Sequence, residues 1–79
     1  MNQLDFLIKS VETLLEEENI SKQVIATLNR IKEILKSEQD IYIKKDKCVH
    51  ELEELEANGN VEAGIRVQLL DISSTLEQL

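Results

Sequence analysis

The amino-acid sequence repeats its apolar pattern after 41 residues. When the chain is shifted by that distance, apolar residues fall on apolar residues, and Asn19-Ile20 falls on Asn60-Val61. The coinciding apolar pairs are Ile8 and Val49, Val11 and Leu52, Leu14 and Leu55, Val24 and Ile65, Leu28 and Leu69, Ile31 and Ile72, and Leu35 and Leu76. The chain therefore contains one structural unit twice, and each copy has to bury its apolar residues against the other.

Within each copy the apolar residues recur at steps of three and four, which is the spacing of an amphipathic helix. The four stripes are Leu4, Leu7, Ile8, Val11, Leu14 and Leu15; Val24, Ile25, Leu28, Ile31, Ile34 and Leu35; Ile41, Cys48, Val49, Leu52 and Leu55; and Val61, Ile65, Leu69, Ile72, Leu76 and Leu79. Lys44 and Lys45 interrupt the third stripe near its start. The chain has no proline and few aromatic residues, and both features favour helix over sheet.

Polar segments separate the four predicted helices. The candidate N-caps are Ser21 for the second helix, Ser37 or Asp40 for the third, and Asn60 for the fourth. A short polar side chain at such a position accepts from the free backbone N–H groups of the first turn. Asn19 and Gly59 stand where the first helix of each copy ends, and both residue types tolerate the left-handed conformation that ends many helices.

Two helical hairpins are too few for an extended repeat array, so their stripes have to pack together. The sequence therefore predicts an all-α protein, a four-helix up-and-down bundle built from two duplicated helical hairpins. We expect a single domain over residues 1–79, with the hairpins at residues 4–36 and 40–79. A chain of this length has room for one modest core.

Two stretches of the chain resemble a known family. The segment NGNVEAGIRVQLLDISSTLE, residues 58–77, resembles the last helix of a small archaeal family, uncharacterised protein family 0147. The residues that match are Asn58, Asn60, Val61, Arg66, Leu76 and Glu77. The segment ENISKQVIATLNRIKEIL, residues 18–35, is similar to the first hairpin turn and second helix of that family. The resemblance implies an archaeal four-helix up-and-down bundle, and it implies no activity.

Charge and composition restrict the partners and the compartment. The net charge of −7 disfavours general binding to nucleic acids or membrane surfaces, because both are polyanionic. No apolar run approaches the ~20 residues of a membrane-spanning helix. The segment MNQLDFLIKSVE mixes charged with apolar residues, unlike a signal peptide, and the single cysteine does not require an oxidising compartment. We expect a cytoplasmic protein without membrane association.

The residues that most often carry chemistry are few and scattered. Cys48 and His50 are two positions apart on a helix and face different directions, so they cannot share a metal ion. Cys48 continues the third apolar stripe and is expected in the core, whereas His50 is expected on the surface. The acidic runs at 16–18 and 51–56 match neither a calcium loop nor a di-iron pattern, and are expected to be solvated. We therefore expect that the protein is not an enzyme and that it has no catalytic residue, metal or cofactor.

Lysines gather at one end of the predicted bundle. Antiparallel helices place both acidic runs at one pole and the following lysines, termed the lysine pole, at the other: Lys32, Lys36, Lys44, Lys45 and Lys47. Lysines near the start of a helix oppose its macrodipole, and a Lys47–Glu51 pair is expected to relieve part of this cost. The lysine pole is either an ordinary charged surface or a contact for an anionic partner such as RNA or an acidic protein, with Tyr42 the one candidate for base stacking.

Four large apolar residues lie off the core stripes: Phe6, Ile43, Val67 and Leu70. Val67 and Leu70 are either covered by a wide apolar face of the fourth helix or exposed as a contact for a protein partner. The leading hypothesis is a non-enzymatic protein-interaction module whose partner is an unknown protein or a second copy, in a homodimer. The alternative is an RNA- or ribosome-associated factor that binds through the lysine pole.

Overall fold

The structure, a computed structural model, describes residues 2–58 and 61–79, and these residues form four helices. They are α1 (Gln3–Leu15), α2 (Lys22–Lys36), α3 (Ile41–Asn58) and α4 (Ala63–Glu77). Short connections make successive helices antiparallel, and the helices pack in a ring in which α1 and α3 each contact both α2 and α4. The described residues contain no strand. The predicted four-helix up-and-down bundle is confirmed.

The core repeats with the same offset as the sequence. Among the described residues, fourteen apolar side chains are buried, and they form seven pairs separated by 41 residues. The pairs are Leu7 and Cys48, Val11 and Leu52, Leu14 and Leu55, Val24 and Ile65, Leu28 and Leu69, Ile31 and Ile72, and Leu35 and Leu76. The two hairpins therefore contribute equivalent positions to one shared core, and removal of these side chains from water stabilises the bundle.

The helices of the first hairpin and the start of α3 follow the expected capping chemistry. The Ser21 hydroxyl accepts from the backbone N–H of Val24 at 3.2 Å, and the Asp40 carboxylate accepts from that of Tyr42 at 2.8 Å. Both predicted caps are thus confirmed. Ser37, the alternative cap for α3, lies at the C-terminal end of α2, where its hydroxyl donates to a backbone carbonyl of that helix.

The connection between α1 and α2 differs from the connection between α3 and α4. Asn19 has a φ of 67°, so the predicted left-handed residue after α1 is confirmed. Gly59, predicted to be left-handed at the end of α3, and the predicted cap Asn60 lie outside the described residues. Helix α4 begins at Ala63, and its N-cap is Glu62 rather than Asn60. The Glu62 side chain makes no capping hydrogen bond, so α4 begins without the side-chain cap that α2 has.

Candidate functional site

Lys44 of the lysine pole is buried rather than presented to solvent. Its side chain fills the gap in the apolar stripe of α3, and the residue is only 7% exposed. The ammonium donates to the carbonyl oxygen of Leu35 at 3.0 Å, in the last turn of α2. Lys44 is therefore part of the bundle interior, and the expectation that it contacts an anionic partner is corrected by its burial.

Lys45 makes the equivalent contact on the other side of α3. Its ammonium donates to the carbonyl oxygen of Glu77, the last residue of α4, at 3.1 Å. Because α2 and α4 run antiparallel to α3, their negative C-terminal ends lie beside its first turn. Lys44 and Lys45 thus meet the favourable ends of two neighbouring helices, which offsets their unfavourable position on their own helix.

The other lysines of the pole also have intramolecular partners. Lys47 donates to the side-chain oxygen of Gln39 at 2.6 Å, whereas Glu51 pairs with Arg30 at 2.8 Å. The predicted Lys47–Glu51 pair is therefore wrong, since the Glu51 carboxylate pairs with Arg30 of the neighbouring helix instead. Lys32 and Lys36 both approach one carboxylate oxygen of Glu12 on α1, at 3.5 Å and 3.7 Å. All five lysines thus interact within the chain.

Cys48 and His50 lie in unlike surroundings. The Cys48 thiol is buried and lies 3.9 Å from the carbonyl oxygen of Ile31, to which it donates. Burial, with a smaller contribution from Glu51, raises the pKa of Cys48 to about 11, so the thiol stays protonated near neutral pH. His50 is on the surface and pairs with Glu54 at 3.1 Å. This thiol is a core side chain, as its stripe predicts.

The described part of the chain contains neither a metal-binding cluster nor a membrane-spanning helix. No group of three or more His, Cys, Asp or Glu side chains there is arranged to hold a metal ion. No helix formed by the described residues is both long and apolar enough to cross a membrane.

The α2–α3 and α1–α4 contacts are equivalent under the 41-residue repeat, but they differ in their polar interactions. Between α2 and α3, the Arg30–Glu51 ion pair and the hydrogen bond from Lys44 bridge the helices. No hydrogen bond or ion pair among the described residues joins α1 to α4. Instead an open groove of about 290 Å³ lies between them, with exposed Phe6 on one wall and Asp71 on the other. The α1–α4 contact is therefore less tightly closed than the equivalent α2–α3 contact.

The outer face of α4 exposes a row of apolar and small residues. Val67 is 66% exposed and Leu70 is 54% exposed. Ala63 and Ser74, one turn before and one turn after, are exposed on the same face because the four positions are spaced by four, three and four residues. The alternative that a wide apolar stripe buries Val67 and Leu70 is wrong, since only the opposite face of α4 packs into the core. We term these four residues the α4 stripe.

The first hairpin provides an internal comparison for the α4 stripe. At the equivalent positions, 41 residues earlier, α2 carries Lys22, Ala26, Asn29 and Glu33, all of them exposed. The same place in the fold is thus polar and charged in α2, but apolar or small and uncharged in α4. Sequence reasoning named Val67 and Leu70 and missed their neighbours, although the spacing of four, three and four residues was visible in the sequence.

Comparisons with known proteins identify no relative of this chain. No protein-family model, curated protein or solved structure matches the chain. The resemblance to the archaeal family consequently stays a prediction.

Proposed function

We propose that this protein is a cytoplasmic, non-enzymatic protein-interaction module that binds its partner through the outer face of α4. The observation that carries the proposal is the exposure of Val67 and Leu70 at positions where the otherwise equivalent helix α2 has Ala26 and Asn29. Since both helices bury the same four apolar positions, the packing of those side chains does not explain the difference. It therefore points to a contact made by α4 and not by α2.

The chemistry of the α4 stripe suits the centre of a protein interface. Such centres are depleted of charged residues, and none of the four stripe residues is charged. Complete burial of a side chain such as Val67 or Leu70 contributes about 1.5–3 kcal/mol, so two of them supply a useful part of a binding free energy. Arg66 and Asp71 flank the stripe, as expected for the polar rim that surrounds an apolar centre.

Affinity capture from the native host tests the proposal. The bait is the chain with Val67→Lys and Leu70→Lys, compared with the unaltered chain and with a matched control, Ala26→Lys and Asn29→Lys. The control adds the same two charges at equivalent exposed positions of α2. Proteins that bind the unaltered chain and the control but not the α4 variant, as read by mass spectrometry, support the proposal. Equal capture by all three baits contradicts it.

The alternative, an RNA- or ribosome-associated factor that binds through the lysine pole, has less support. Lys44 is buried, and the other four lysines have partners within the chain. Exchanging those partners for phosphates would cost existing interactions and gain little. Fluorescence anisotropy with labelled RNA at low salt separates the two functions, because lysine-driven binding is strongest there. Binding that is lost in Lys36→Glu and Lys47→Glu variants would favour the alternative.

A further inference from the structure

We propose that a second copy of this chain occupies the outer face of α4, with the two α4 helices side by side and parallel. This inference rests on the proposed function of the α4 stripe and names its partner. It is carried by two features of α4, the spacing of the stripe and the charges on either side of it.

The spacing of the α4 stripe is that of a helix-pairing seam. Steps of four, three and four residues are the heptad pattern by which one helix packs along another. Val67 and Leu70 provide the two large side chains in the middle of the seam. Ala63 and Ser74 at its ends are small and let the helix backbones approach. The seam spans about three turns and ends before the next position of the pattern, which is the charged residue Glu77.

The charges beside the stripe are complementary between two parallel copies. Arg66 precedes the first large stripe residue, and Asp71 follows the second, five residues later. In a parallel helix pair, flanking residues five positions apart face one another across the seam, so Arg66 of each copy meets Asp71 of the other. Both side chains are exposed, and neither joins an ion pair among the described residues. A parallel dimer therefore gives each of them a partner.

An antiparallel arrangement lacks these pairs. It would place Arg66 beside Ser73 of the second copy, and Asp71 beside Gly64. No charge would be matched across the seam. The equivalent flanks on α2 are Ile25 and Arg30, and Arg30 is already paired with Glu51. The Arg66–Asp71 pairs thus favour α4 over α2 and the parallel orientation over the antiparallel one.

The dimer is expected to be weak and reversible. A contact confined to one helix from each copy is smaller than the ~1,200 Å² at the lower end of standard stable interfaces. Each chain carries a net charge of −7, so long-range repulsion opposes association. At 0.15 M salt, repulsion beyond about 8 Å is screened, whereas the apolar stripe is unaffected. Association should therefore be measured at or above that ionic strength.

Cysteine cross-linking tests the orientation. Ser74→Cys places a thiol at the end of the α4 stripe, where two parallel copies bring it against its own counterpart. The matched control is Glu33→Cys at the equivalent exposed position of α2, and the unaltered chain controls for the buried Cys48. We expect disulfide-linked dimers from Ser74→Cys well above both controls, at a rate that Leu70→Lys reduces at least fivefold. Cross-linking no greater than in the controls overturns the proposal.

A charge exchange tests the pairing. Arg66→Asp and Asp71→Arg each create like-charge contacts, and each is expected to weaken dimerisation about threefold to tenfold in sedimentation equilibrium. The double variant restores opposite charges and is expected to return the dissociation constant to within about twofold of the unaltered chain. Failure of the double variant to recover overturns the parallel arrangement. Circular dichroism verifies that each variant remains helical.

The outcomes separate this inference from the proposed function. If the chain sediments as a monomer up to millimolar concentration, the dimer is overturned. If capture of a different protein still depends on Val67 and Leu70, the interaction module stands with a heterologous partner. If neither self-association nor capture responds to those substitutions, both proposals are overturned. A double variant with Ala63→Cys and Ser74→Cys that forms only 63–74 cross-links between copies would show an antiparallel dimer, which also overturns the parallel arrangement.

Discussion

Helices α2 and α4 occupy equivalent places in the two hairpins, and they differ only where the shared core does not constrain them. Their buried apolar residues coincide pair by pair, from Val24 and Ile65 at one end to Leu35 and Leu76 at the other. Their outer faces do not coincide, because α2 is polar there and α4 is largely apolar. Burial thus holds the two copies alike, while solvent-facing positions are free to take on separate roles.

Equivalent helices of the two hairpins also differ in the polar contacts at their N-terminal ends. Ser21 caps α2, whereas its equivalent Glu62 at the start of α4 makes no side-chain capping bond. Likewise Lys44 and Lys45 at the start of α3 bind the ends of α2 and α4, while their equivalents at the start of α1 are Gln3 and Leu4. A duplicated unit can therefore keep its core and still distribute its polar contacts unequally.

The largest expected effect tests whether the two copies contribute equally to the core. Leu28→Ala and Leu69→Ala remove equivalent side chains that are 0% and 1% exposed. Each is expected to lower the free energy of unfolding by about 2–5 kcal/mol, through lost burial and the cavity left behind. Urea unfolding followed by circular dichroism measures both. A difference above about 2 kcal/mol between them would show that the hairpins are not equivalent in energy.

Among the seven apolar core pairs, Leu7 and Cys48 is the pair in which one copy has a titratable side chain and the other does not. Because the pKa of Cys48 is raised from its ordinary 9.0 to about 11, folding favours the protonated thiol. The resulting stability is complete below pH 9 and is lost as the pH rises through about 11, by roughly 2–3 kcal/mol in all. Unfolding measured from pH 8 to 11 should show this loss. A Cys48→Ala variant with the same pH dependence would contradict it.

Loss of a polar contact at the start of α3 is expected to have the next largest effect on the free energy of unfolding. Lys44→Met keeps the apolar part of the side chain but leaves the carbonyl oxygen of Leu35 without its ammonium donor, at an expected cost of about 1–3 kcal/mol. Lys47→Met, which removes an exposed ammonium, is expected to cost less than about 0.5 kcal/mol. Thermal unfolding of the two variants compares them. Equal stability would mean that the buried contact contributes nothing.

An exchange of caps sharpens the comparison between α2 and α4. Ser21→Ala should destabilise the protein by about 1 kcal/mol, because a backbone N–H of the first turn loses its acceptor. Glu62→Ser should stabilise it by a similar or smaller amount, because α4 gains the cap that α2 already has. Chemical unfolding measures both changes. Destabilisation by Glu62→Ser would show that its carboxylate favours the helix start more than a hydroxyl does.

The smallest effect concerns Gly64 in the first turn of α4. A Cβ at this position would meet no atom within 4 Å, so close packing does not require the glycine. Gly64→Ala is expected to stabilise the protein by up to ~1 kcal/mol through helix propensity. At the equivalent exposed position of α2, Gln23→Ala should change stability by less than about 0.5 kcal/mol, and thermal unfolding compares the two variants. A loss of stability in Gly64→Ala would indicate a role that the packing does not show.

The candidate site was only half accessible to sequence reasoning. The sequence singles out Val67 and Leu70 because they lie off the core stripe, but their exposure depends on how far the apolar face of α4 extends around the helix. It does not connect Arg66 and Asp71 with them, since charges beside a stripe can be interpreted only once that face is known to point outward. The rotation of α4 in the bundle supplied that information.

Local pattern by itself determined the four helices, the left-handed Asn19, the Ser21 cap and six of the seven core pairs. These features follow from residue spacing and backbone chemistry within a few positions of the chain. The seventh prediction, Ile8 with Val49, is wrong, because those side chains are only partly buried and the core pair there is Leu7 with Cys48. Only the tertiary structure decided what the lysine pole does. Lys44 and Lys45 reach carbonyl oxygens 9 and 32 residues away, on helices whose ends arrive beside α3 only when the bundle closes. Contacts between chain segments far apart in sequence leave no local pattern, so they are visible only in the folded protein.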